Sequence, residues 1–377
     1  MRIAFYCPLK PPDHPTPSGD RRMARELMAA LRGAGAAVTL ASRLRTRLGQ
    51  PDETAFDVLV SAGRQEADRL IAAWTTDPAT RPDLWLTYHC YHKAPDLVGP
   101  LVARALGLPY ALVEASVAGK RAHGPWAQGY AAALDAVRLA GRIFCPNPGD
   151  AEGLAGHVAG PDVLVDLPPF LDGAPYRVAR AGHAARRAAW AARLGLPGDD
   201  GAVWCLSVGM MRPDKLASYR SLAAALRLLP QPGWQIILVG DGVERAAVEA
   251  DFAGLPARLA GQLGAEELTG LYGAADLFLW PAINEAYGFA LLEAQAAGLA
   301  AVIGRGPGTA NILRQGETGL LVPAGDAAAF ANAVSGLLAD PTRRDAMGRA
   351  ASANVLARHD GQAAGQVLLN ELAGLCP

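Results

Sequence analysis

At 377 residues the chain exceeds what one hydrophobic core usually supports, so two domains are expected. Hydrophobic residues make up 51% and charged residues 19%, which excludes a disordered chain, and no apolar run reaches the roughly 18 residues of a membrane-spanning helix. A net charge of −1 argues against a nucleic-acid partner.

Five cysteines (Cys7, Cys90, Cys145, Cys205, Cys376) show no Cys-x-x-Cys pairing, and the opening MRIAFYCPLKPP is broken by proline too early for a signal peptide. A reduced, cytoplasmic protein is expected. The charge is unevenly spread: residues 1–50 carry nine basic and three acidic side chains. Two readings stand. One is a solvated, arginine-rich helix. The other is a surface facing an anionic substrate or lipid headgroups, which would make the protein peripheral at the inner face of the cell membrane.

Taken in chain order, short apolar runs alternate with helical stretches, the pattern of parallel sheets built from β-α-β units. The first half offers strands at RIAFYC, AAVTLAS, FDVLVS, DLWLTY, PYALVEA and GRIFCPN, near-continuous in apolar character as strands covered on both faces are. Between the first two, GDRRMARELMAALRGAG places Met23, Leu27 and Leu31 on one helical stripe, ended by Gly33 and Gly35. A stretch rich in proline, glycine and arginine, LPPFLDGAPYRVARAGHAARR, reads as a linker. The second half restarts with AVWCLSVG, WQIILVG, DLFLWPA, AAVIG and GLLVP, and three helical segments close the chain. The expectation is α/β: two doubly wound, Rossmann-like domains with a cleft between them. Residues 1–170 form the first domain, 171–200 the linker and 201–350 the second domain, with 351–377 packing back toward the first. Ligands of such sheets bind beyond the carboxyl ends of the strands.

One constellation stands out in the second half. In NEAYGFALLEAQAAGLA, Gly288 begins a helix, so the N–H groups of Gly288, Phe289 and Ala290 form an anion site, and glycine lets a phosphate approach the backbone. Glu285 precedes that helix and Glu293 lies one turn inside it. Two carboxylates beside a phosphate are best used on neutral hydroxyls, which a sugar–diphosphate–nucleoside has on both sides. Earlier, in LSVGMMRPDKLASYR, Arg212 and Lys215 follow a strand and precede a helix, where they can neutralise a diphosphate.

These segments resemble the retaining glycosyltransferases of family 4, which have the two-domain GT-B fold. The pattern P-x-x-x-E-x-[FY]-G-x-x-x-x-E-A-x-A-x-G is met by Pro281, Glu285, Tyr287, Gly288, Glu293, Ala294, Ala296 and Gly298. A loop glycine with lysine six residues on (Gly209, Lys215), LVGDG (Gly240 to Gly242) and GETGLLVPAGD also match. The resemblance implies transfer of a sugar from a nucleotide-sugar donor of the UDP, GDP or ADP type to a glycan, lipid or small-molecule hydroxyl. It implies a hexosyl or related transferase that keeps the anomeric configuration, with no metal and no cofactor beyond the co-substrate. Glu293 would take the ribose hydroxyls and Glu285 those of the transferred sugar. Lys215 and an arginine would hold the diphosphate, and Gly261, Gln262 and Leu263 would line the base. Gly19, after Ser18 in PTPSGDRR, would border the acceptor.

Three positions depart from the family pattern. The arginine that usually follows the loop glycine is Met210 here, and Arg212 is expected to replace it. The usual first-domain histidine is Glu114 by counting from Pro109; His89 and His92 match it by type but not by position. Asn311 stands for a usual glutamate. The chain is therefore expected in a divergent branch. Other readings are a catalytically impaired nucleotide-sugar binder, an epimerase or phosphorylase of the same fold, or a dinucleotide oxidoreductase suggested by the Gly-x-Gly of LVGDG, which lacks the third glycine. No Asp-x-Asp occurs, and no metal site is expected.

Overall fold

A computed structural model describes residues 1–16, 18–197, 201–230, 233–283 and 288–376. The elements run β1 (Arg2–Tyr6), α1 (Gly19–Gly33), β2 (Ala37–Ser42), α2 (Glu53–Thr76), β3 (Leu84–Tyr91), α3 (Gly99–Leu106), β4 (Tyr110–Ser116), α4 (Ala127–Leu139), β5 (Arg142–Cys145), α5 (Pro148–Leu154) and β6 (Leu164–Asp166). There follow α6 (Ala174–Ala181), α7 (His183–Leu194), β7 (Val203–Val208), α8 (Pro213–Leu226), β8 (Trp234–Val239), α9 (Arg245–Asp251), β9 (Ala257–Gly261), α10 (Ala265–Ala274) and β10 (Leu277–Trp280). The chain ends with α11 (Phe289–Ala296), β11 (Ala300–Gly304), α12 (Pro307–Ala310), β12 (Gly319–Val322), α13 (Ala327–Ala339), α14 (Pro341–Arg358) and α15 (Gly361–Ala373).

Two compact units result. Met1–Pro168 and Gly361–Pro377 form one, and Pro169–Asp360 the other. Each holds a parallel sheet, ordered β2-β1-β3-β4-β5-β6 in the first unit and β12-β11-β10-β7-β8-β9 in the second. The strands are apolar because helices cover both faces: Ile3, Phe5, Leu84, Leu86, Cys205, Ile237, Phe278 and Val302 are fully buried. In both sheets the chain leaves its first strand in one direction and later returns on the other side. The resulting switch points lie between β1 and β3 and between β7 and β10.

Helix α1 buries Met23, Leu27 and Leu31, and Gly35 continues the chain at φ 99°. The last helix, α15, belongs to the first unit. A β-carbon on Gly365 would stand 2.3 Å from the Ala30 carbonyl oxygen, so α1 and α15 meet backbone to backbone.

Four segments differ from the sequence reading. FDVLVS is not a strand but the start of the 24-residue α2, which buries Phe56, Gly63, Ala67 and Leu70 on one face. Asp52 caps that helix by accepting from the Ala55 N–H, and the β-branched Val58 and Val60 that suggested a strand face outward. The short β6 and β9 complete the sheet edges from the inconspicuous LVD and ARLAG. The stretch expected as a linker, 171–200, holds α6 and α7, which pack on α10. Its arginines are anchors: Arg180 donates to the Ala275 carbonyl and Arg187 pairs with Asp276 at 2.7 Å.

The basic excess of residues 1–50 also has a structural use. Prolines at positions 8, 11, 12 and 15 lack N–H groups, and their loop presents carbonyls that need donors. Arg21 donates to the His14 and Pro15 carbonyls, Arg25 to Pro12 and Arg45 to Leu9, while Arg43 pairs with Asp13.

Replacing Gly365 by valine should drive α1 and α15 apart at a cost of about 1–3 kcal/mol in urea unfolding. Gly336→Ala, on the exposed face of α13 with no atom within 4 Å, should instead gain roughly 0.5–1 kcal/mol. Equal stabilities for the two variants would contradict this packing.

Candidate active site

In the second unit the loops after β7, β8, β9 and β10 form a continuous line along the carboxyl edge of the sheet. Gly209 donates to the Val239 carbonyl at 2.9 Å and accepts from the Tyr219 hydroxyl at 2.5 Å. Met211 donates to Asp241, and Gly240 donates to Gly261, both through backbone groups. Gly240 and Gly242 sit at φ 141° and 153°; a β-carbon on them would stand 1.8 Å from the Gly209 oxygen and 2.3 Å from the Met211 oxygen. The glycines of LVGDG thus let two loops close on each other, which accounts for them without a dinucleotide.

The cations follow directly. Arg212 caps α8 in extended conformation, exposed and paired with Asp214 at 3.1 Å, and Lys215 lies half-buried in the first turn of the same helix. Three residues further along, the buried Ser218 hydroxyl accepts from the Ile283 N–H at 3.0 Å, tying the loop after β10 to α8. Ala282, just before that contact, is held at φ 53° although it is not glycine.

Gly288 adopts the left-handed conformation at φ 74° and precedes α11; a β-carbon there would meet the Gly308 carbonyl at 2.8 Å. Phe289 and Ala290 open the helix, whose N-terminus carries the positive end of the peptide dipoles. Glu285 and Tyr287 lie outside the described residues. Glu293 is only 7% exposed, and its two carboxylate oxygens accept from the hydroxyls of Tyr176 on α6, at 2.8 Å, and Tyr272 on α10, at 3.0 Å. Neither tyrosine carries a sequence signal, because each comes from a different, distant helix. Gly261 ends β9 at φ 71°, followed by the exposed Gln262 and the half-buried Leu263. Asn311 caps the carboxyl end of α12.

The first unit has its own constellation at the carboxyl ends of β3 and β4. His89 and Glu114 face each other in register, between the pairs Tyr88–Val113 and Cys90–Ala115, and both hold left-handed backbone, at φ 62° and 57°. Two such non-glycine residues cost about 1–3 kcal/mol each and persist where surrounding structure compels them. His89 Nδ1 lies 3.1 Å from Asp20 Oδ1 on α1 and 3.7 Å from Glu114 Oε1. Burial would lower the imidazole pKa, but the charges of Glu114, Asp20 and Asp150 raise it to about 9. Burial and the Glu114 charge together push Asp150 up to about 6, against the opposing charge of His89. Burial would raise Asp20, yet its hydrogen bond and charge interaction with His89 hold it below the usual carboxylate range.

The structure therefore brings Glu114 together with His89, the residue that matched by type alone. His92 lies apart, edge-on to Trp126, with burial and the charges of Arg121 and Lys93 lowering its pKa. Asp20 was legible only as the residue after Gly19. Ser18 caps α1 by accepting from the Arg21 N–H, and the space beside Gly19 is open. Among the described residues no group of three or more His, Cys, Asp or Glu is arranged to hold a metal ion, and no helix is long and apolar enough to cross a membrane.

Residues 203–340, the core of the second unit, match the family model described as Glycosyl transferases group 1. HepE of Anabaena, crystallised in complex with UDP, superimposes with a TM-score of 0.75 at 16% identity, covering 99% of this chain and 100% of that one. The fold is that of the GT-B glycosyltransferases. A D-inositol 3-phosphate glycosyltransferase of Acidothermus cellulolyticus is 31% identical over 239 residues, which is 60% of this chain and 51% of that protein. Sulfoquinovosyl transferase SQD2 of Arabidopsis thaliana is 31% identical over 169 residues, 44% of this chain and 32% of that one. The chain thus spans about half the length, or less, of these two curated relatives.

The His89 pair has a pH signature. Its folded pKa of about 9 exceeds the ordinary histidine value of 6.5, so the stability it contributes is complete below pH 6.5 and is lost as pH rises through 9. Urea unfolding of wild type and His89→Gln between pH 6 and 10 should show a gap that narrows over that window. A gap constant with pH would show that His89 is uncharged at the lower end.

Proposed function

We propose that the protein is a glycosyltransferase that moves a sugar from a nucleotide-diphosphate-sugar donor to an acceptor hydroxyl, without a metal ion and with retention at the anomeric carbon. The observation that carries this reading is the placement of the group 1 glycosyl transferase match. Its glycine loop, its two cations and the start of α11 all follow β7 and β10, the strands flanking the switch point of the second unit. A UDP-type donor is the first to test, because HepE was crystallised with UDP; GDP and ADP types follow.

In this reading the diphosphate lies across the first turns of α8 and α11. Lys215, Arg212 and the N–H groups at Phe289 and Ala290 neutralise the charge that grows on it as the glycosidic bond breaks. Arg212 is free to swing from Asp214, since their exposed pair is worth little in water. Glu293, held by its two tyrosines, presents its carboxylate to the ribose hydroxyls. Gly261 to Leu263 offer backbone groups to the base, and Glu285 serves the hydroxyls of the transferred sugar. The acceptor oxygen attacks C1 on the face from which the diphosphate departs, the C1–O bond breaks, and the acceptor's proton passes to the leaving phosphate oxygen. That route needs no carboxylate nucleophile beneath the ring, unlike double displacement.

Calorimetric titration with UDP, GDP and ADP should find one that binds equally well with and without EDTA. Glu293→Ala should weaken that binding about 10- to 150-fold, the worth of roughly 1.5–3 kcal/mol for a hydrogen bond to a charged group. Unchanged affinity would leave Glu293 a purely structural partner of Tyr176 and Tyr272. Lys215→Ala and Arg212→Ala should each slow turnover about 10²–10³-fold. A near-normal rate for Arg212→Ala would mean that it does not replace the arginine absent at Met210. Proton NMR of the product from an α-linked donor should show an α-linkage; a β-linkage would refute the same-face route.

A further inference from the structure

Arg212, Lys215 and the start of α11 lie at the carboxyl edge of the second sheet. At the opposite, amino edge of that sheet a separate cavity of about 520 Å³ opens between α6 and α14, across the carboxyl end of α11. Gly298, in its wall, stands two residues before β11. Arg180 donates through Nη1 at 2.7 Å to the carbonyl of Ala275, two residues before β10, which ties the cavity to this edge. The eight residues of α11 set it about 12 Å from the Gly288 end. Part of its wall is bare backbone: a β-carbon on Gly348 of α14 would stand 2.2 Å from the Gly298 oxygen, and Gly298 itself holds φ 72°. Three guanidinium groups reach the cavity, Arg177 and Arg180 from α6 and Arg349 from α14. Asp345 is the one carboxylate among the described residues that line it. It precedes Arg349 by four residues, the spacing of a helical ion pair, yet no ion pair joins them. Arg177 and Arg349 have no hydrogen-bond or carboxylate partner among the described residues, and Nε and Nη2 of Arg180 are equally unengaged. Other arginines of this unit are paired, Arg187 with Asp276, Arg193 with Glu267 and Arg245 with Glu249. The half-buried Ser352 hydroxyl lies 3.5 Å from the Ala296 carbonyl, at the limit of a hydrogen bond, and can donate into the cavity instead.

We propose that this cavity is a second anion site, built for a phosphate monoester and separate from the diphosphate site at the carboxyl edge. Three guanidiniums less one carboxylate leave two positive charges, and a phosphate monoester carries close to two negative ones near pH 7. Its oxygens accept paired N–H groups from planar guanidiniums, and three such groups converging from two helices outnumber what a single carboxylate ligand could use. Ala353 and Leu356, the latter 54% exposed, continue the wall with apolar surface that suits the organic part of the ester. A soluble phosphate ester and the headgroup of phosphatidic acid offer the same chemistry, and the experiment separates them. The site uses none of the residues of the transferase reading and stands or falls apart from it.

In the first arm glycerol 3-phosphate is titrated calorimetrically into the full chain at low salt. The double variant Arg177→Gln/Arg349→Gln should weaken binding about tenfold or more, and added salt should weaken it in wild type, because the cavity is open to water. The double variant Arg212→Ala/Lys215→Ala should leave it within about twofold, since the two places are a helix length apart. Asp345→Asn should tighten it by about twofold or more through loss of a like charge, a gain that no folding defect produces. The reverse pattern, with loss in Arg212→Ala/Lys215→Ala and none in Arg177→Gln/Arg349→Gln, puts the phosphate at the carboxyl edge alone and overturns the proposal. The second arm is co-sedimentation with vesicles of phosphatidylcholine and phosphatidic acid, against phosphatidylcholine alone. Sedimentation that needs phosphatidic acid and is lost in Arg177→Gln/Arg349→Gln assigns the site to a lipid headgroup. Arginine-dependent titration without such sedimentation assigns it to a soluble ester. If binding of neither probe depends on Arg177 and Arg349, the proposal is wrong.

Discussion

Among the places in the second unit where the backbone comes so close to itself that only glycine fits, four lie around the loops that follow β7, β8 and β10. A β-carbon would stand 1.8 Å from the Gly209 oxygen at Gly240, 2.3 Å from the Met211 oxygen at Gly242, 1.7 Å from the Pro281 oxygen at Gly304 and 2.8 Å from the Gly308 oxygen at Gly288. These contacts join the loop after β7 to the loop after β8, the end of β11 to the loop after β10, and the start of α11 to α12. They fix where Arg212, Lys215 and the first turn of α11 begin, and therefore where charge can be neutralised. The alignment of cations and helix ends depends on these glycines. Preorganisation of this kind is what electrostatic stabilisation of a leaving group requires.

That dependence explains what could be read from the sequence. Glycines at strand ends and the alternation of apolar runs mark the parallel sheets, and ten of the twelve strands found in the described residues were visible in that way. β6 and β9 were not, because edge strands of three and five residues with exposed positions carry little apolar signal. α2 imitates a strand through Val58 and Val60, residues that prefer a pleated surface; its identity is decided by the Asp52 cap and by a buried stripe spread over 15 residues. The arginines of α6 and α7 looked like linker charge. They are anchors whose acceptors, Ala275 and Asp276, come about a hundred residues later.

The candidate site divides in the same manner. Lys215, Gly288 and Glu293 are legible because the chemistry and the local turn coincide in one short segment. Tyr176 and Tyr272, which hold the Glu293 carboxylate, lie 117 and 21 residues away and have no reason to stand out before the helices pack. His89 and Glu114 are the extreme case. Counting along the chain assigns a function to one position, whereas the sheet register puts the two residues opposite each other on neighbouring strands, so a histidine missing from one strand end is present 3.7 Å away on the next.

The two units therefore use different physics at the same topological place. In the second, backbone N–H groups and two cations gather at the strand ends proposed to hold a diphosphate, and the positions that matter are set by glycine. In the first, a charged triad with strained backbone lies at two adjacent strand ends, and the positions that matter are set by ionisation. A diphosphate tolerates small displacements because its charge is spread over several oxygens and each cation contributes at a distance. A single sugar hydroxyl does not: its hydrogen bond weakens steeply as the angle falls below about 120°. A site for a hydroxyl therefore needs the stiffer arrangement, which the left-handed residues at His89 and Glu114, held by Asp20 and by the sheet, would supply.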